Sequence, residues 1–271
     1  MKLNILFASI DEGILRIGQN LPAPVPAVSY IIAQQVTGTQ FRQIPRELDR
    51  EDVEISLRKE RGISRNRNRA LDLADGDLAL LADDDAIYRR EYFETIIDTF
   101  SRDEDLDVAC FRIKTPDHEA EYKEYAEEPF DLQETNRHYI SSLEIAFRLE
   151  SVKRNKIRFD ERFGLGSELI QSGEEAVFIF DCLKTGLKVN YFPQYVVEHR
   201  VESRTKMAAE YSPERLLFKG AYDARRFGWK AVPAALLDTV RLQGRYKKDD
   251  MTAFSYLTER LRGAFYILKQ A

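Results

Sequence analysis

The sequence predicts an α/β protein built on a mostly parallel sheet flanked by helices, with a helical C-terminal extension. Three observations carry this. The run Leu78-Ala79-Leu80-Leu81-Ala82 is apolar without alternation, the pattern of a strand buried on both faces. Strand-like and helix-like segments alternate through the first 115 residues. Beyond residue 212 the periodicity is mostly helical.

Taken in order, residues 3–9 form a first strand and 28–36 a second. Between them lie 11–18 and a proline-rich loop, Leu21-Pro22-Ala23-Pro24-Val25-Pro26, whose missing amide donors rule out a helix throughout. Residues 53–57 make a short third strand. Ser64 is expected to cap a helix over 65–74 that turns Ala70, Leu71 and Ala74 inward. After the 78–82 strand, a helix over 90–100 buries Tyr92, Phe93, Ile96, Ile97 and Phe100, and 107–113 is again a strand. Residues 117–134 are acidic with interspersed Tyr and Pro, which predicts a mobile or surface loop. A strand over 143–149, a short helix over 152–156 and a Gly-punctuated loop reaching Gly164 and Gly166 follow. A helix over 174–185 stops at Gly186, and a strand over 189–197 ends at Glu198-His199-Arg200. Helices then run from 212, interrupted by Gly228 and Pro233, to a last one over 254–268. The expected division is a domain over 1–204, with halves 1–115 and 116–204, and an extension over 205–271.

Composition narrows the class. A chain of 271 residues, 44% hydrophobic and 32% charged, is an ordinary globular protein with room for a sizeable core. No apolar run reaches the roughly 18–20 residues that span a bilayer, and the first residues do not read as a secretory signal. Cys110 and Cys182 sit in apolar settings and are expected as reduced core residues of a cytoplasmic protein. The net charge of −5 is unevenly spread: residues 1–199 carry 26 basic against 38 acidic side chains, and 200–271 carry 15 against 8. A basic tail suits peripheral contact with an anionic membrane, although a solvated helical surface is the simpler explanation. Nucleic acid is not an expected partner, since neither zinc-finger spacing nor an RRM-type aromatic motif is present.

Chemistry concentrates at three places. The 78–82 strand ends in Asp83-Asp84-Asp85, and nothing local neutralises this triple before Arg89 and Arg90. Carboxylates at the C-terminal end of a buried strand lie where open α/β sheets bind ligands, and their oxygens suit Mg²⁺ or Mn²⁺. A helix cap would need one Asp, not three. Glu174-Glu175 heads a helix, where acids gain from the helix dipole and where one could serve as a general base. His199 closes a strand and could complete a carboxylate metal site.

The combination resembles a known family. Gly62-Ile63-Ser64-Arg65-Asn66-Arg67-Asn68-Arg69-Ala70-Leu71, then Ala74-Asp75-Gly76-Asp77 and Leu81 to Asp85, is similar to the nucleotide-sugar half of family 2 inverting glycosyltransferases of the GT-A fold. Phe163-Gly164-Leu165-Gly166, Gly173-Glu174-Glu175 and the stretch from Lys184 to His199 resemble that family's acceptor half. The resemblance covers roughly residues 1–200 and implies a GT-A fold, a Rossmann-like mostly parallel sheet. It implies transfer of a sugar from a nucleoside-diphosphate donor to an acceptor hydroxyl, in polysaccharide or glycolipid assembly. It assigns donor contacts to Ser9, Arg67, Asn68, Asp83 and Asp84, and a Mn²⁺ or Mg²⁺ ion to Asp85, Asp83 and His199. Gly164, Gly166 and Glu174 fall on the acceptor side, and Glu175 takes the place of the catalytic base. Two departures stand out. The first strand runs into Ala8-Ser9-Ile10-Asp11 where the family usually has Pro-Thr-Tyr-Asn, and the second ends in Gln34-Gln35-Val36-Thr37-Gly38 without the usual acids. A UDP-sugar is therefore the default donor, with a saccharide or lipid-linked acceptor. Two alternatives remain: a non-catalytic nucleotide-sugar-binding or assembly partner of the same fold, and a sugar nucleotidyltransferase. The latter would be expected to carry a Gly-rich basic phosphate loop, whereas residues 8–20 offer only Gly13, Arg16 and Gly18.

Overall fold

The computed structural model describes residues 1–133, 139–200 and 210–270, in two units: Met1–Asp160 with Glu174–Ser203, and Glu161–Gly173 with Arg204–Ala271. The boundary expected at 204/205, and Glu134 at the end of the acidic stretch, lie outside the described residues.

The first unit is an eight-stranded sheet in the order β3-β2-β1-β4-β7-β5-β8-β6. Its strands are β1 (Leu3–Ile10), β2 (Val28–Gln35), β3 (Val53–Arg58), β4 (Leu78–Ala82), β5 (Val108–Lys114), β6 (Phe130–Asp131), β7 (Ile145–Arg148) and β8 (Val189–Glu198). β1 pairs in parallel with β2 and β4, β2 with β3, and β5 with β8; β7 is antiparallel to both β4 and β5, and β6 to β8. The sheet is thus mostly parallel, as the unbroken apolar runs imply, with one reversed strand let into its middle.

Alternate residues of β1 serve two cores. Leu3, Ile5 and Phe7 pack with Ile14 and Ile17 of α1 (Gly13–Asn20) and with Phe93, Ile96 and Phe100 of α3 (Arg90–Arg102). Leu6 faces the other way, toward Ala70 and Leu71 of α2 (Ile63–Leu73), Val152 of α4 (Leu149–Arg154) and Phe178 of α5 (Glu174–Lys184). The result is helices on both faces of the sheet.

One helix goes unread in the sequence, and two local expectations need correction. The segment holding α1 carries two glycines and an Asn, all weak helix formers, so packing of Ile14 and Ile17 against the sheet stabilises a helix that propensity does not signal. Gly62, not Ser64, occupies the N-cap of α2; Ser64 lies buried in the first turn. The acidic stretch after β5 is pinned rather than merely superficial. Tyr122 is buried, Lys123 bonds the fully buried Glu144 at 2.7 Å, and the Tyr125 hydroxyl accepts the Ile113 N–H. Its acidity is a surface property, but its aromatics and its one lysine face inward.

The second unit holds α6 (Pro213–Phe227), α7 (Ala231–Arg241), α8 (Gln243–Tyr246) and α9 (Ala253–Leu268). α6 and α9 touch backbone to backbone: a Cβ on Gly220 would lie 1.9 Å from the Arg260 carbonyl oxygen, and one on Gly263 would lie 2.0 Å from that of Leu217. Only glycine permits that approach. Tyr211, Tyr246 and Tyr256 stack into a small aromatic core beside it. Among the described residues no helix is long and apolar enough to cross a membrane.

Candidate active site

Strand order fixes where a ligand can sit. From β1 the chain winds one way through β2 and β3 and the other way through β4, so the sheet reverses direction between β1 and β4. In open α/β sheets the crevice beyond the C-terminal ends of such strands is the binding site. Phe7 pairs with Ala82 at the last step of the β1–β4 register, which brings Ser9 beside the three aspartates.

Each aspartate has its own partner, and none is Arg89 or Arg90. Those two bind Glu198 and Glu94 instead. Asp84 accepts from Ser9 Oγ at 3.2 Å and from Arg16 through Nε at 3.1 Å and Nη2 at 2.8 Å. It is seated so close to the start of α1 that a Cβ on Gly13 would fall 1.8 Å from its Oδ2, which explains a glycine at the first position of that helix. Burial raises the Asp84 pKa, against the opposing pull of Arg16. Asp83 accepts from Arg67 Nη2 at 3.2 Å and from Ser142 Oγ at 3.4 Å, while its own N–H donates to the Tyr88 hydroxyl.

Asp85 meets His199 Nε2 at 3.2 Å. Two backbone hydrogen bonds between Ile87 and Glu198, each 2.9 Å, tie the end of β8 to the loop after the triple. Arg89 and the Tyr92 hydroxyl hold the Glu198 carboxylate, and the Tyr122 ring packs edge-on against the imidazole. The hydrogen bond from His199 lowers the Asp85 pKa. Burial pulls the His199 pKa down, but bonding to Asp85 and the charges of Asp85 and Asp83 outweigh it and leave the imidazole above its usual value.

Arg67 is the hinge of the site. It is buried on α2, where the neighbouring Asn66 amide donates to the Ser9 and Ala33 carbonyls and so locks that helix to β1 and β2. From there its guanidinium forks, to Asp83 on one side and to Glu174 Oε1 at 2.7 Å on the other. Its face lies over the Phe159 ring, which itself stacks on Phe178 of α5. The end of β4 and the head of α5 are thereby joined. Next to Glu174, the half-buried Glu175 has its pKa pushed up to about 8, by loss of solvent first and then by the negative charge of Glu174.

The structure therefore gathers Ser9, Arg67, Asp83, Asp84, Asp85, Glu174 and His199 into one connected set of contacts, with Glu175 at its margin. Asn68 turns elsewhere: its amide donates to the Phe159 carbonyl and accepts the Phe159 N–H, clamping that loop. Gly164 and Gly166 belong to the second unit. They shape its Phe163–Ile170 turn at φ 94° and 84°, with the Gly164 N–H bonded to the Ile170 carbonyl. Sequence reading passes over Arg16, Ser142, Asn66 and Tyr88 as site residues. Arg16 and Ser142 reach the aspartates from 68 and 59 positions away, a proximity the sheet order creates, and Arg16 sits on the unsignalled helix α1. Tyr88, five positions past Asp83, and Asn66, next to Arg67, are local to segments already singled out.

A divalent cation fits this donor set only as a shared ligand. Among the described residues no three His, Cys, Asp or Glu side chains form a ready-made cage. Asp83 is turned to Arg67 and Ser142, leaving one carboxylate, Asp85, and one imidazole, His199. Asp85 keeps 41% of its side chain exposed. Mg²⁺ sites with one or two protein donors, completed by substrate phosphate and water, are common.

Comparisons with known proteins point to glycosyltransferases. The family model for glycosyl transferase family 2 matches residues 40–167. A glucosyl-dolichyl phosphate glucuronosyltransferase of Haloferax volcanii is 29% identical over 178 residues, 58% of this chain and 54% of that protein. The chain thus spans about half the length of that relative. Among solved structures, S. aureus TarS residues 1–349 superimposes with a TM-score of 0.64 at 14% identity, covering 96% of this chain and 90% of that one. Its UDP complex gives 0.62 at 13% identity with the same coverage, and its UDP-GlcNAc complex 0.58 at 12% identity over 100% and 91%. The fold is shared with the TarS structures, and the segment that matches the glycosyl transferase family 2 model contains the acid-ended strand and its Arg67 partner.

Proposed function

We propose that this protein transfers a sugar from a nucleoside-diphosphate donor, a UDP-sugar by default, to an acceptor hydroxyl by a single displacement that inverts the anomeric centre. The observation that carries the reading is the Arg67 fork, which joins the acids at the end of β4 to the carboxylates heading α5. A donor diphosphate held at one and an acceptor held at the other would react within one complex rather than by encounter.

In this reading Glu175 accepts the acceptor's proton. A hydroxyl is a weak nucleophile until that proton is shared, and a carboxyl with its pKa near 8 takes a proton more readily than an ordinary one. Ser9 and Arg16 hold Asp84, and through it the loop between β1 and α1, beside the donor's path. Arg67 keeps Glu174 and Asp83 in register and offers positive charge near the developing leaving group. Asp85 and His199 would hold Mn²⁺ or Mg²⁺ against the diphosphate, where the ion stabilises negative charge. Asn68 is kept for the Phe159 loop. Residues 1–115 are read as the donor half, 116–204 as the acceptor half and 205–271 as a helical extension, with Gly164 and Gly166 shaping an acceptor-side loop.

UDP is supported by the TarS structures, which share the fold and were solved with UDP and UDP-GlcNAc. A saccharide or lipid-linked acceptor is supported by the name of the Haloferax volcanii relative. The proposed location is the cytoplasm or the inner face of its membrane. Replacing Glu175 with Gln should cut transfer by roughly 10²–10⁴-fold while UDP still raises the melting temperature, more so with Mn²⁺ present. Near-normal turnover in the Glu175→Gln variant would remove Glu175 from the role.

A further inference from the structure

We propose that the second unit docks on an anionic lipid surface through the outer face of α7. A helix of a globular protein normally turns its apolar stripe inward. α7 does the reverse along half its circumference. Ala231 and Ala235 are buried, and Asp238 faces inward to the buried Arg260. The opposite side presents Leu236, Leu237 at 71% exposure and Val240 at 78%, and Trp229, one turn before the helix, is 67% exposed. Positions 229, 233, 236, 237 and 240 follow one another at helical spacing, so Trp229, Pro233, both leucines and the valine line one stripe.

The charges around the stripe select the occupant. Lys230, Arg241, Arg245, Lys247 and Lys248 are all exposed, and between 229 and 248 the single acid is Asp238, already committed to Arg260. The nearest exposed acids, Asp249 and Asp250, follow after that basic run. A second copy docked face to face would set this positive rim against itself, which is unfavourable. A bilayer rich in anionic lipid offers both an apolar layer for the stripe and negative headgroups for the rim, the arrangement of an interfacial helix. Among the described residues no helix is long and apolar enough to cross the bilayer, and the contact proposed for α7 is interfacial. This inference does not depend on the sugar-transfer reading.

Trp229 is the only tryptophan in the chain, so selectively excited tryptophan emission reports this face alone. The full chain is titrated with vesicles of phosphatidylcholine alone and of phosphatidylcholine mixed with phosphatidylglycerol, and co-sedimentation is measured in parallel. The expected result is a blue shift and sedimentation with the mixed vesicles only, weakening as salt is raised. Leu237→Asp should weaken partition by at least about tenfold, and Lys247→Glu with Lys248→Glu by about fivefold or more per position. The charge variant alters only exposed side chains and keeps the test independent of any folding defect in the first. UDP-induced stabilisation should be unchanged in both variants, which separates failure here from failure of the donor site. The proposal is overturned if the mixed vesicles cause neither blue shift nor sedimentation, or if both variants bind like the parent. It is equally overturned if sedimentation equilibrium shows self-association that Leu237→Asp abolishes while vesicles go unbound; a second copy would then cover the face.

Discussion

Arg67 in the first unit and Arg260 in the second are built alike. Each is buried, each forks between two carboxylates, and each has an Nε without a hydrogen-bond partner. Their surroundings differ. Around Arg260 the two acids, Asp223 and Asp238, are met by that arginine and by Lys219, and the guanidinium also lies over the Tyr256 ring and donates to its hydroxyl, so charge is balanced. Around Arg67 five carboxylates (Asp83, Asp84, Asp85, Glu174 and Glu175) face two guanidiniums and one imidazole. A buried ion pair closed on itself is a structural joint, whereas one with surplus acid is a site waiting for positive charge. The shared motif therefore says little by itself; the sum over its neighbours separates the two.

The largest expected effect comes from breaking the closed fork. Arg260→Met leaves the partly buried Asp223 and Asp238 without the arginine, with Lys219 alone beside Asp238, and loss of one partner of a buried pair costs about 3–5 kcal/mol. That corresponds to roughly 10 °C of melting temperature for a protein of this size. Replacing Asp223 and Asp238 with Leu in the same variant should recover most of the loss, since a fully apolar substitute carries no desolvation penalty. UDP binding by the folded fraction should not change. If donor binding fell with stability intact, the two forks would not be different in kind.

Arg67→Met should do the opposite. Some stability is lost, but the main readout is kcat/KM, expected to fall about 10²-fold because Glu174 and Asp83 are no longer held in mutual register. No pair of changes to its acids should rescue activity, because those acids are needed as acids. Recovery of turnover in a variant with Arg67, Asp83 and Glu174 all replaced by apolar residues would reduce this fork to a structural joint as well.

The same contrast explains what could be read from sequence. The acid triple and Glu174-Glu175 stand out because each is a run of like charges, and β4 because it is apolar without a break; all are local patterns. Arg67 was legible through a motif, but its link to Glu174 spans 107 positions, and that of Arg16 to Asp84 spans 68. Such pairings arise from the strand order, which reverses between β1 and β4, and from β7 entering the sheet antiparallel. α1 escaped notice because Gly13 and Gly18 weaken its helical signal, although Gly13 is what lets Asp84 sit so near. Arg260 was hidden for the reverse reason. It counted as one more base in a basic tail, and nothing in its neighbours along the chain distinguishes the one that is buried from those that are exposed.

Titration offers a finer way to sharpen the comparison, because surplus acid must leave a trace in pH dependence. Glu175 ionises near pH 8 when folded, against an ordinary value of 4.5. As a base it works only when ionised, so kcat/KM should climb about tenfold per pH unit up to about pH 8 and then level off. Stability should move the other way. Between pH 4.5 and 8 the folded chain holds a proton that the unfolded chain has released, so stability is fullest below 4.5 and declines as pH rises through 8. Glu175→Gln removes that slope: parent and variant should melt together near pH 4, with the variant a few degrees higher at pH 8.5. Glu174→Gln lowers the plateau but still informs, since removing the neighbouring negative charge should bring the midpoint of the remaining activity to lower pH without abolishing the climb. A flat kcat/KM profile from pH 6 to 8, with the chemical step rate-limiting, would mean that the carboxylate beside the Arg67 fork is not the group that takes the proton.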